Sequence, residues 1–319
     1  MDIKDTIWED YPNLNSQLNQ VKAMMKSHIN LKSGNIKSAI LDLFNAGGKM
    51  LRPAYLLLFS DFTDLSEKEK IALAAAVEIF HTATLIHDDV IDKAETRRNL
   101  PTVSHQYGVE TAVYGGDYLF VVAFRLLSEY SLELSNLSKN LTSFERLLGG
   151  ELGQFDKSFN TEQTIENYIE NISGKTGELF ALSTSIAPLI DKNKILANTT
   201  YKIGMNIGIS FQIMDDYLDY TSDTDQLGKP VLEDIKQGIY SAPVLYALKL
   251  EPERVKSLLK EEKFDEIYAF IQSSQALTLT KELANSYTKK ALNLMKKLPD
   301  GQNKINIEKI TKKLLERTL

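Results

Sequence analysis

The chain has 319 residues, and its 37 lysines and arginines against 43 aspartates and glutamates give a formal net charge of −6. Cysteine is absent, which excludes a disulfide framework, thiolate metal sites and a cysteine nucleophile. The acidic balance argues against a nucleic-acid partner, and the charged start argues against a secretory signal. No uncharged apolar run reaches the roughly 18 residues of a spanning helix, so we expect a globular, cytoplasmic protein without an integral membrane segment.

Helical periodicity dominates the chain, in which proline and glycine are scarce and clustered. Ser66 and Glu69 have the spacing of a capping box, which predicts a helix from Glu67 to about Asp92. Residues 71–77 are apolar on every side of this helix, so it should be buried. The other predicted helices, in chain order, are 12–29, 35–45, 52–61, 109–130, 137–157, 162–172, 176–190, 194–221, 239–249, 253–260, 265–272, 276–296 and 304–317.

Three segments are predicted to be loops, namely 47–48, 99–101 and 222–238. No linker rich in glycine, serine or proline divides the chain, and no repeat of fixed period is visible. The sequence therefore predicts a single all-α domain over residues 1–319.

The strongest chemical signal is the pattern Asp-Asp-x-x-Asp, which occurs over 88–92 and again over 215–219. Each copy closes a mostly apolar predicted helix. The first and last aspartates of a copy are four residues apart, so they project from one helix face, one turn apart. Carboxylate oxygens without nearby thiolates suit Mg²⁺, which takes a few carboxylates, waters and substrate phosphates.

An acidic cluster at a helix end is often only a solvated surface, and a single cluster would favour that interpretation. Carboxylates at a helix C-terminus oppose the helix dipole, however, so both clusters are locally unfavourable without a cation. Because the same rule is broken twice in the same way, metal binding is the favoured hypothesis.

Short cationic segments accompany the aspartates and could bind phosphate oxygens in this acidic chain. They are Gly47–Pro53 with Lys49 and Arg52, the pair Arg97–Arg98, Ser173–Gly177 with Lys175, and Gly228–Pro230 with Lys229. Segment 174–176 resembles only the tail of a P-loop. The upstream glycine of that motif is missing, so the P-loop interpretation is rejected.

Two histidines, His81 and His87, lie on the predicted buried helix. His87 beside Asp88 invites comparison with metal-dependent phosphohydrolases, but the chain has only four histidines to supply the further ligands. A satisfied core histidine is the preferred interpretation of His87. His81 precedes Asp88 by seven residues, or two turns on nearly the same face, so it could reach a phosphate in the same cavity.

Taken in chain order, these residues resemble the trans-isoprenyl (polyprenyl) diphosphate synthases, and in particular the catalytic subunit of medium- and long-chain (hexa- and heptaprenyl-type) synthases. The resemblance spans nearly the whole chain. Its segments are Gly47–Lys49 with Arg52–Pro53, His81–Asp92, Arg97–Arg98, Gly115–Tyr118, Gly150–Gln154, Lys175–Thr176, Phe211–Asp216 and Gly228–Pro230.

The resemblance implies a single large all-α bundle around a central active-site cavity, the isoprenoid synthase fold. It implies a homodimer, or a heterodimer with a small regulatory subunit. The implied reaction joins isopentenyl diphosphate to an allylic diphosphate with about three Mg²⁺ per site. The implied product is a medium- or long-chain all-trans polyprenyl diphosphate, a precursor of quinone side chains.

The resemblance also implies roles for individual residues. Asp88, Asp92, Asp215 and Asp219 would hold metal, with Asp89 and Asp216 in support. Isopentenyl diphosphate would be bound by Lys49, Arg52, His81 and Arg98. The allylic diphosphate would be bound by Arg97, Lys175, Lys229 and Lys236. Thr176 and Gln212 would face the developing cation, and Asp88, Asp92, Asp215, Lys175, Thr176 and Gln212 would form the catalytic set.

The residues that set product length in this family lie four to eight positions before the first aspartate cluster, which here means Thr84, Ala83 and Phe80. The small side chains at positions 83 and 84 would leave the floor of the cavity open, and in this the chain resembles enzymes that make long products. Phe80 is bulkier. It either limits the product chain deeper in the cavity or is an ordinary core residue. Segment Gln237–Tyr240 departs from the family pattern, because no lysine follows Gly238; a similar variant occurs in heptaprenyl-type subunits.

Three alternatives stay open at this stage. One is a short-chain farnesyl or geranylgeranyl diphosphate synthase. A class I terpene cyclase ranks lower, because it would carry an Asn/Asp-Ser/Thr-Glu metal motif in place of residues 215–219. A non-catalytic partner subunit would lack the aspartates, and here all six are present.

Overall fold

The structure is a computed structural model, and it describes residues 8–46, 48–98, 100–130, 145–146, 149, 158–221 and 232–315. Helices account for nearly all of the regular structure in these ranges. They are α1 Pro12–Ser27, α2 Gly34–Ala46, α3 Leu51–Ser60, α4 Glu67–Ile91, α5 Val103–Tyr107, α6 Val109–Tyr130, α7 Ile165–Ile172, α8 Glu178–Ile190, α9 Lys194–Thr221, α10 Glu233–Lys236, α11 Ala242–Leu250, α12 Pro252–Lys260, α13 Phe264–Ser273, α14 Ala276–Met295 and α15 Gln302–Leu315. The all-α prediction is confirmed.

Helix α4 begins where the sequence predicts it. The Ser66 hydroxyl accepts a hydrogen bond from the Glu69 amide, and the Glu69 carboxylate accepts one from the Ser66 amide at 2.7 Å. This reciprocal capping satisfies two amides that a helix N-terminus leaves without partners. Residues 71–80 are all buried, so α4 is a core helix over most of its length.

The chain divides into two compact units. The first comprises residues 1–140 and 183–198, and within it α4 packs along α6 and also contacts α1 and α3. The second comprises residues 141–182 and 199–319. Its core is formed by apolar side chains of α7, α9 and α11 to α14, among them Ile213, Val255 and Ile271. The single domain over 1–319 remains a prediction.

Three local predictions differ from the structure. Leu100–Pro101, predicted as a loop, pairs antiparallel with Thr96–Arg97 as the strands β2 and β1, and the Thr102 hydroxyl secures the turn by donating to the Ala94 carbonyl at 2.7 Å. Within the predicted loop 222–238, residues 233–236 form α10, whereas 222–231 lie outside the described residues. The predicted helix 137–157 lies almost entirely outside them too.

The third difference is at the predicted start of helix 176–190. Residues 173–177 form a π-helical turn, which joins α7 to α8 without a break in the helical path. A π turn accommodates one residue more than an α turn and is common at functional sites. The predicted helices 162–172 and 176–190 leave a gap at 173–175, which the π turn fills.

One helix of the described residues, α4, is long and apolar enough to cross a membrane when judged by length and composition alone. Of its most apolar window, 72% is buried inside the structure, and the core helix of a globular protein passes the same test.

Candidate active site

The first aspartate cluster lies at the C-terminal end of α4, in the first unit. Asp88 is half-buried and Asp92 is exposed, whereas Asp89 between them is buried. Asp92 ends the helix, and its amide donates to the Asp88 carbonyl over 2.8 Å. The helical path through this point places Asp88 and Asp92 one turn apart on one face.

Asp89 is held by the protein itself. Its Oδ1 accepts a charge-assisted hydrogen bond from Arg97 Nε at 2.5 Å, at the start of the β1–β2 turn. Burial raises the pKa of Asp89 above its ordinary value, and the Arg97 guanidinium opposes that shift. Arg97 is therefore anchored beside the first cluster.

A second group of predicted residues meets around His81. Arg52 Nη1 donates to His81 Nε2 at 3.1 Å. Burial, reinforced by the positive charges of Arg52, Arg98 and Arg97, holds the pKa of His81 well below 6.5. The imidazole is thus neutral near pH 7 and can accept the arginine hydrogen.

Arg98 belongs to the same group. Its guanidinium lies against the backbone of Gly48, where a Cβ atom would be only 2.6 Å from Arg98 Nη2. A side chain at position 48 would therefore push the Arg98 guanidinium out of this place. Lys49, next in the chain, is exposed.

Glu78 is a buried carboxylate that sequence reasoning missed. It lies on α4 one turn before His81 and is only 5% exposed. Burial raises the pKa of Glu78, and the charges of Arg52, Arg98 and Lys22 act in the opposite direction. A glutamate inside the apolar run 71–80 was the available signal, since an acidic residue there needs cationic neighbours.

Trp8 is also missed by sequence reasoning. Its indole Nε1 donates to the Lys49 carbonyl at 2.8 Å, and its side chain is fully buried. The next residue, Met50, has a positive φ of 48°, so the chain turns sharply before α3 begins. The N-terminal segment thereby fixes the backbone that carries Lys49.

The second aspartate cluster lies near the end of α9, in the second unit. Asp215 is half-buried, Asp219 is exposed and Asp216 is buried. Asp216 accepts hydrogen bonds from Tyr168 Oη at 2.6 Å and from Gln212 Nε2 at 2.8 Å. Burial raises the pKa of Asp216 to about 7, and these two hydrogen bonds oppose the shift.

Thr176 and Gln212, which were predicted to act together, are in contact. Thr176 Oγ1 donates to Gln212 Oε1 at 2.8 Å. The contact joins the π turn 173–177 to α9. It is possible because Gly177 and Gly208 lie opposite each other: a Cβ atom on Gly208 would be 2.8 Å from the Gly177 Cα atom.

The other predicted cations have different surroundings. Lys175 is half-buried on the π turn, and Lys236 is exposed at the end of α10. Lys229 lies outside the described residues. His87 is half-buried; it donates from Nε2 to the Val113 carbonyl at 3.1 Å, lies 3.5 Å from Asp117 Oδ1 and packs on Phe120.

The predicted product-length residues lie along α4. Thr84 is half-buried and lies about 40° around the helix from Asp88, whereas Ala83 lies about 140° away and has no exposed surface. The ring of Phe80 packs on Phe120 of α6 with centroids 4.8 Å apart and on Phe124 at 6.2 Å. This packing favours an ordinary core role for Phe80.

No group of three or more acidic or histidine side chains close enough to enclose a metal occurs in the part of the chain that the structure describes. Each aspartate cluster instead offers a pair of carboxylates one turn apart. Such pairs suit a cation that completes its coordination with water and phosphate oxygens.

Comparison with known proteins shows which family the chain belongs to. The polyprenyl synthetase family model matches residues 34–275. Heptaprenyl diphosphate synthase component 2 of Bacillus subtilis is 30% identical over 96% of this chain and 90% of its own length.

Solved structures of similar sequence support the same family. Geranylgeranyl pyrophosphate synthase of Lactobacillus brevis superposes with a TM-score of 0.93 at 36% identity, covering 98% of this chain and 99% of its own. Heptaprenyl diphosphate synthase of Staphylococcus aureus gives 0.91 at 34% identity, covering 96% and 98%. The expected isoprenoid synthase fold is therefore confirmed, and the chain belongs to the polyprenyl synthetase family and is a trans-prenyltransferase.

Proposed function

We propose that this enzyme adds isopentenyl diphosphate repeatedly to an allylic diphosphate and makes a medium- or long-chain all-trans polyprenyl diphosphate, a precursor of quinone side chains. The observation that carries the proposal is the parallel construction of the two aspartate clusters. In each, the middle aspartate is buried and bonded to protein donors, while the outer two lie one turn apart with more exposure.

The residues present fit Mg²⁺. All of the donors in the two clusters are carboxylate oxygens, which a hard cation prefers. Asp88 and Asp92 would hold metal at the first cluster, and Asp215 with Asp219 at the second. Bound there with the diphosphate, about three Mg²⁺ would neutralise the charge that develops as the allylic C–O bond breaks.

The protein's own cations would bind the two diphosphates separately. Lys49, Arg52, His81 and Arg98 are assigned to isopentenyl diphosphate, and Arg97, Lys175, Lys229 and Lys236 to the allylic substrate. The contact of Arg52 with neutral His81 supports the first assignment, because it fixes one face of the guanidinium and orients the rest. The anchoring of Arg97 to Asp89 supports the second.

The reaction then needs no side-chain nucleophile. The allylic C–O bond breaks with its electron pair on the departing diphosphate, and cationic side chains stabilise that charge. The double bond of isopentenyl diphosphate attacks the allylic cation, and the released diphosphate takes up the proton that is lost. Thr176 and Gln212 are assigned to face the cation, and apolar walls must keep water from it.

A shorter product is the second candidate function. A geranylgeranyl synthase is among the most similar solved structures, and a heptaprenyl synthase is nearly as similar. The small side chains of Ala83 and Thr84 support the longer product. A class I terpene cyclase is less well supported, because residues 215–219 keep the aspartate pattern.

The test is incubation of the purified chain with labelled isopentenyl diphosphate, Mg²⁺ and a series of allylic primers, followed by chromatography of the dephosphorylated products. We expect products of C30 or longer. Products that stop at C15 or C20 would assign the short-chain function, and a cyclic hydrocarbon would contradict prenyl elongation.

We also propose a homodimer located in the cytoplasm. A heterodimer with a small regulatory subunit is the alternative, and one relative's name, component 2, supports it.

A further inference from the structure

The hydrogen bonds around Asp216 continue into a chain that reaches Thr176. Tyr168 Oη donates to Asp216 Oδ2, Gln212 Nε2 donates to Asp216 Oδ1, and Thr176 Oγ1 donates to Gln212 Oε1. Every distance lies between 2.6 and 2.8 Å. Tyr168 has no part in the roles assigned above, although it lies at one end of this chain.

The direction of the chain follows from the hydrogen bonds at Asp216. Both groups that face its carboxylate, the Tyr168 hydroxyl and the Gln212 amide, donate to it. Gln212 therefore turns its amide nitrogen to Asp216 and its carbonyl to Thr176. Because a carbonyl can only accept, the single hydrogen of the Thr176 hydroxyl is committed to Gln212. At any further contact, Thr176 Oγ1 is an acceptor.

Tyr168 is well suited to fix this direction. It is only 4% exposed, and its side chain belongs to the apolar core of the second unit. Burial and the adjacent Asp216 carboxylate raise the pKa of Tyr168 well above its ordinary value, so the phenol keeps its hydrogen. A rigid ring in a packed core can hold a carboxylate in one plane.

We propose that Tyr168 is a positioning residue for the prenyl transfer: it fixes the plane of the Asp216 carboxylate, which orients Gln212 and keeps the acceptor side of Thr176 Oγ1 available to the allylic cation. This inference rests on the proposed function, in which Thr176 faces that cation. An oxygen lone pair aimed at developing positive charge stabilises it, whereas a hydroxyl hydrogen in the same place would oppose it.

The kinetic test uses Tyr168→Phe, Thr176→Val and the double variant. We expect each single change to lower kcat about tenfold, while KM for both substrates stays within twofold. Residues that act as one unit are not additive, so the double variant should fall no more than twofold below the slower single variant. A double variant whose decrease in kcat equals the product of the two single decreases would overturn the proposal. An unchanged kcat in Tyr168→Phe would overturn it as well.

Tyr201→Phe is the matched control. Tyr201 Oη donates to the Glu178 carboxylate at 2.6 Å in the same unit, so its loss removes the same kind of hydrogen bond. We expect its kcat to stay within twofold of the parent. An equal loss in Tyr201→Phe would make the Tyr168 effect merely structural. If Tyr168→Phe does not fold, Gln212→Met interrupts the chain at another link and must show the same non-additivity with Thr176→Val.

A second measurement needs no substrate. In the ligand-free protein, the hydrogen exchange of the Gln212 side-chain amide is followed by NMR, with its signals assigned by their loss in Gln212→Glu. We expect exchange about tenfold faster in Tyr168→Phe and unchanged in Tyr201→Phe. Equal exchange in all variants would overturn the proposal. A parent enzyme that condenses no substrate would overturn the proposed function instead, and the amide exchange would still decide whether Tyr168 orients Gln212.

Discussion

Aspartates that are neighbours in the sequence have different surroundings at both clusters. Asp89 and Asp216 are buried and bonded to protein donors, so their carboxylates hold nearby side chains in place. Asp88 and Asp215 are half-buried, and the 100° step between consecutive helical residues points them in a different direction from Asp89 and Asp216. Substitution of Asp88 or Asp215 should therefore affect metal binding, whereas substitution of Asp89 or Asp216 should disturb the side chains that they hold.

We expect Asp88→Ala or Asp215→Ala to lower kcat by at least about a thousandfold, because each removes a carboxylate assigned to hold the Mg²⁺ that would neutralise the departing charge. Activity is measured at saturating Mg²⁺, and circular dichroism and the unfolding temperature monitor the fold. Asp61→Ala is the matched control, since Asp61 lies at the C-terminal end of a helix, α3, and is bonded to Lys70 on the surface. Near-normal turnover in either cluster variant would contradict the metal assignment.

The arginines at 97 and 98 should be separable by substrate. Arg97 is anchored to Asp89, whereas Arg98 lies against Gly48, so the two guanidinium groups diverge. We expect Arg97→Ala to raise KM for the allylic diphosphate about tenfold or more, and Arg98→Ala to do so for isopentenyl diphosphate, since a charged hydrogen bond contributes about 1.5–3 kcal/mol. Each enzyme is titrated with one substrate while the other is saturating. An increase in the same single KM in both variants would refute the two-pocket assignment.

At the scale of elements, α4 carries both the first aspartate cluster and the residues expected to limit product length. Its 25 residues span about 38 Å at 1.5 Å per residue. A chain that grows from a diphosphate held at Asp88 would pass successive turns of this helix. Ala76 and Ala83 are seven residues apart, on nearly the same face, and both are fully buried.

We expect Ala83→Tyr to stop elongation near C15 or C20, because a phenol ring would fill the space about 7.5 Å back along the helix from Asp88. Ala76→Tyr, about 18 Å back, should stop elongation at a longer product. Chromatography of the dephosphorylated products measures both. Each variant should still ionise the primer, since no phosphate or metal contact changes. Identical product lengths in the two variants would show that this face does not line the path of the chain.

Across the whole molecule, the sequence predicts those features that are determined by residues close together in the chain. The capping box of α4 and the one-turn spacing of the aspartates both follow from neighbouring residues, and the structure has the helices that they require. The roles assigned to those aspartates remain predictions. Glu78, Trp8 and Tyr168 were missed because their partners come from distant positions. Tyr168, for example, is 48 residues away from Asp216.

The assembly proposed for the whole molecule is tested with the isolated chain. We expect light scattering to give about twice the 36.0 kDa of one chain, and we expect the chain alone to condense its substrates. A homodimer that is stable at assay concentrations buries about 1,200–2,000 Å² of surface or more between its two chains. A monomer that is inactive until a second subunit is added would support the heterodimer instead.

The close contact of Gly177 with Gly208 has a consequence for the time course of synthesis. No side chain separates the two backbones there, so the π turn and α9 cannot move apart without breaking a tightly packed contact. Their amides should exchange with solvent only when the whole unit opens. Thr176 and Gln212 are joined across this contact, so their spacing should not change while the product lengthens. Each round of addition would then begin from the same reaction point, and only the far end of the growing chain would have to find new room.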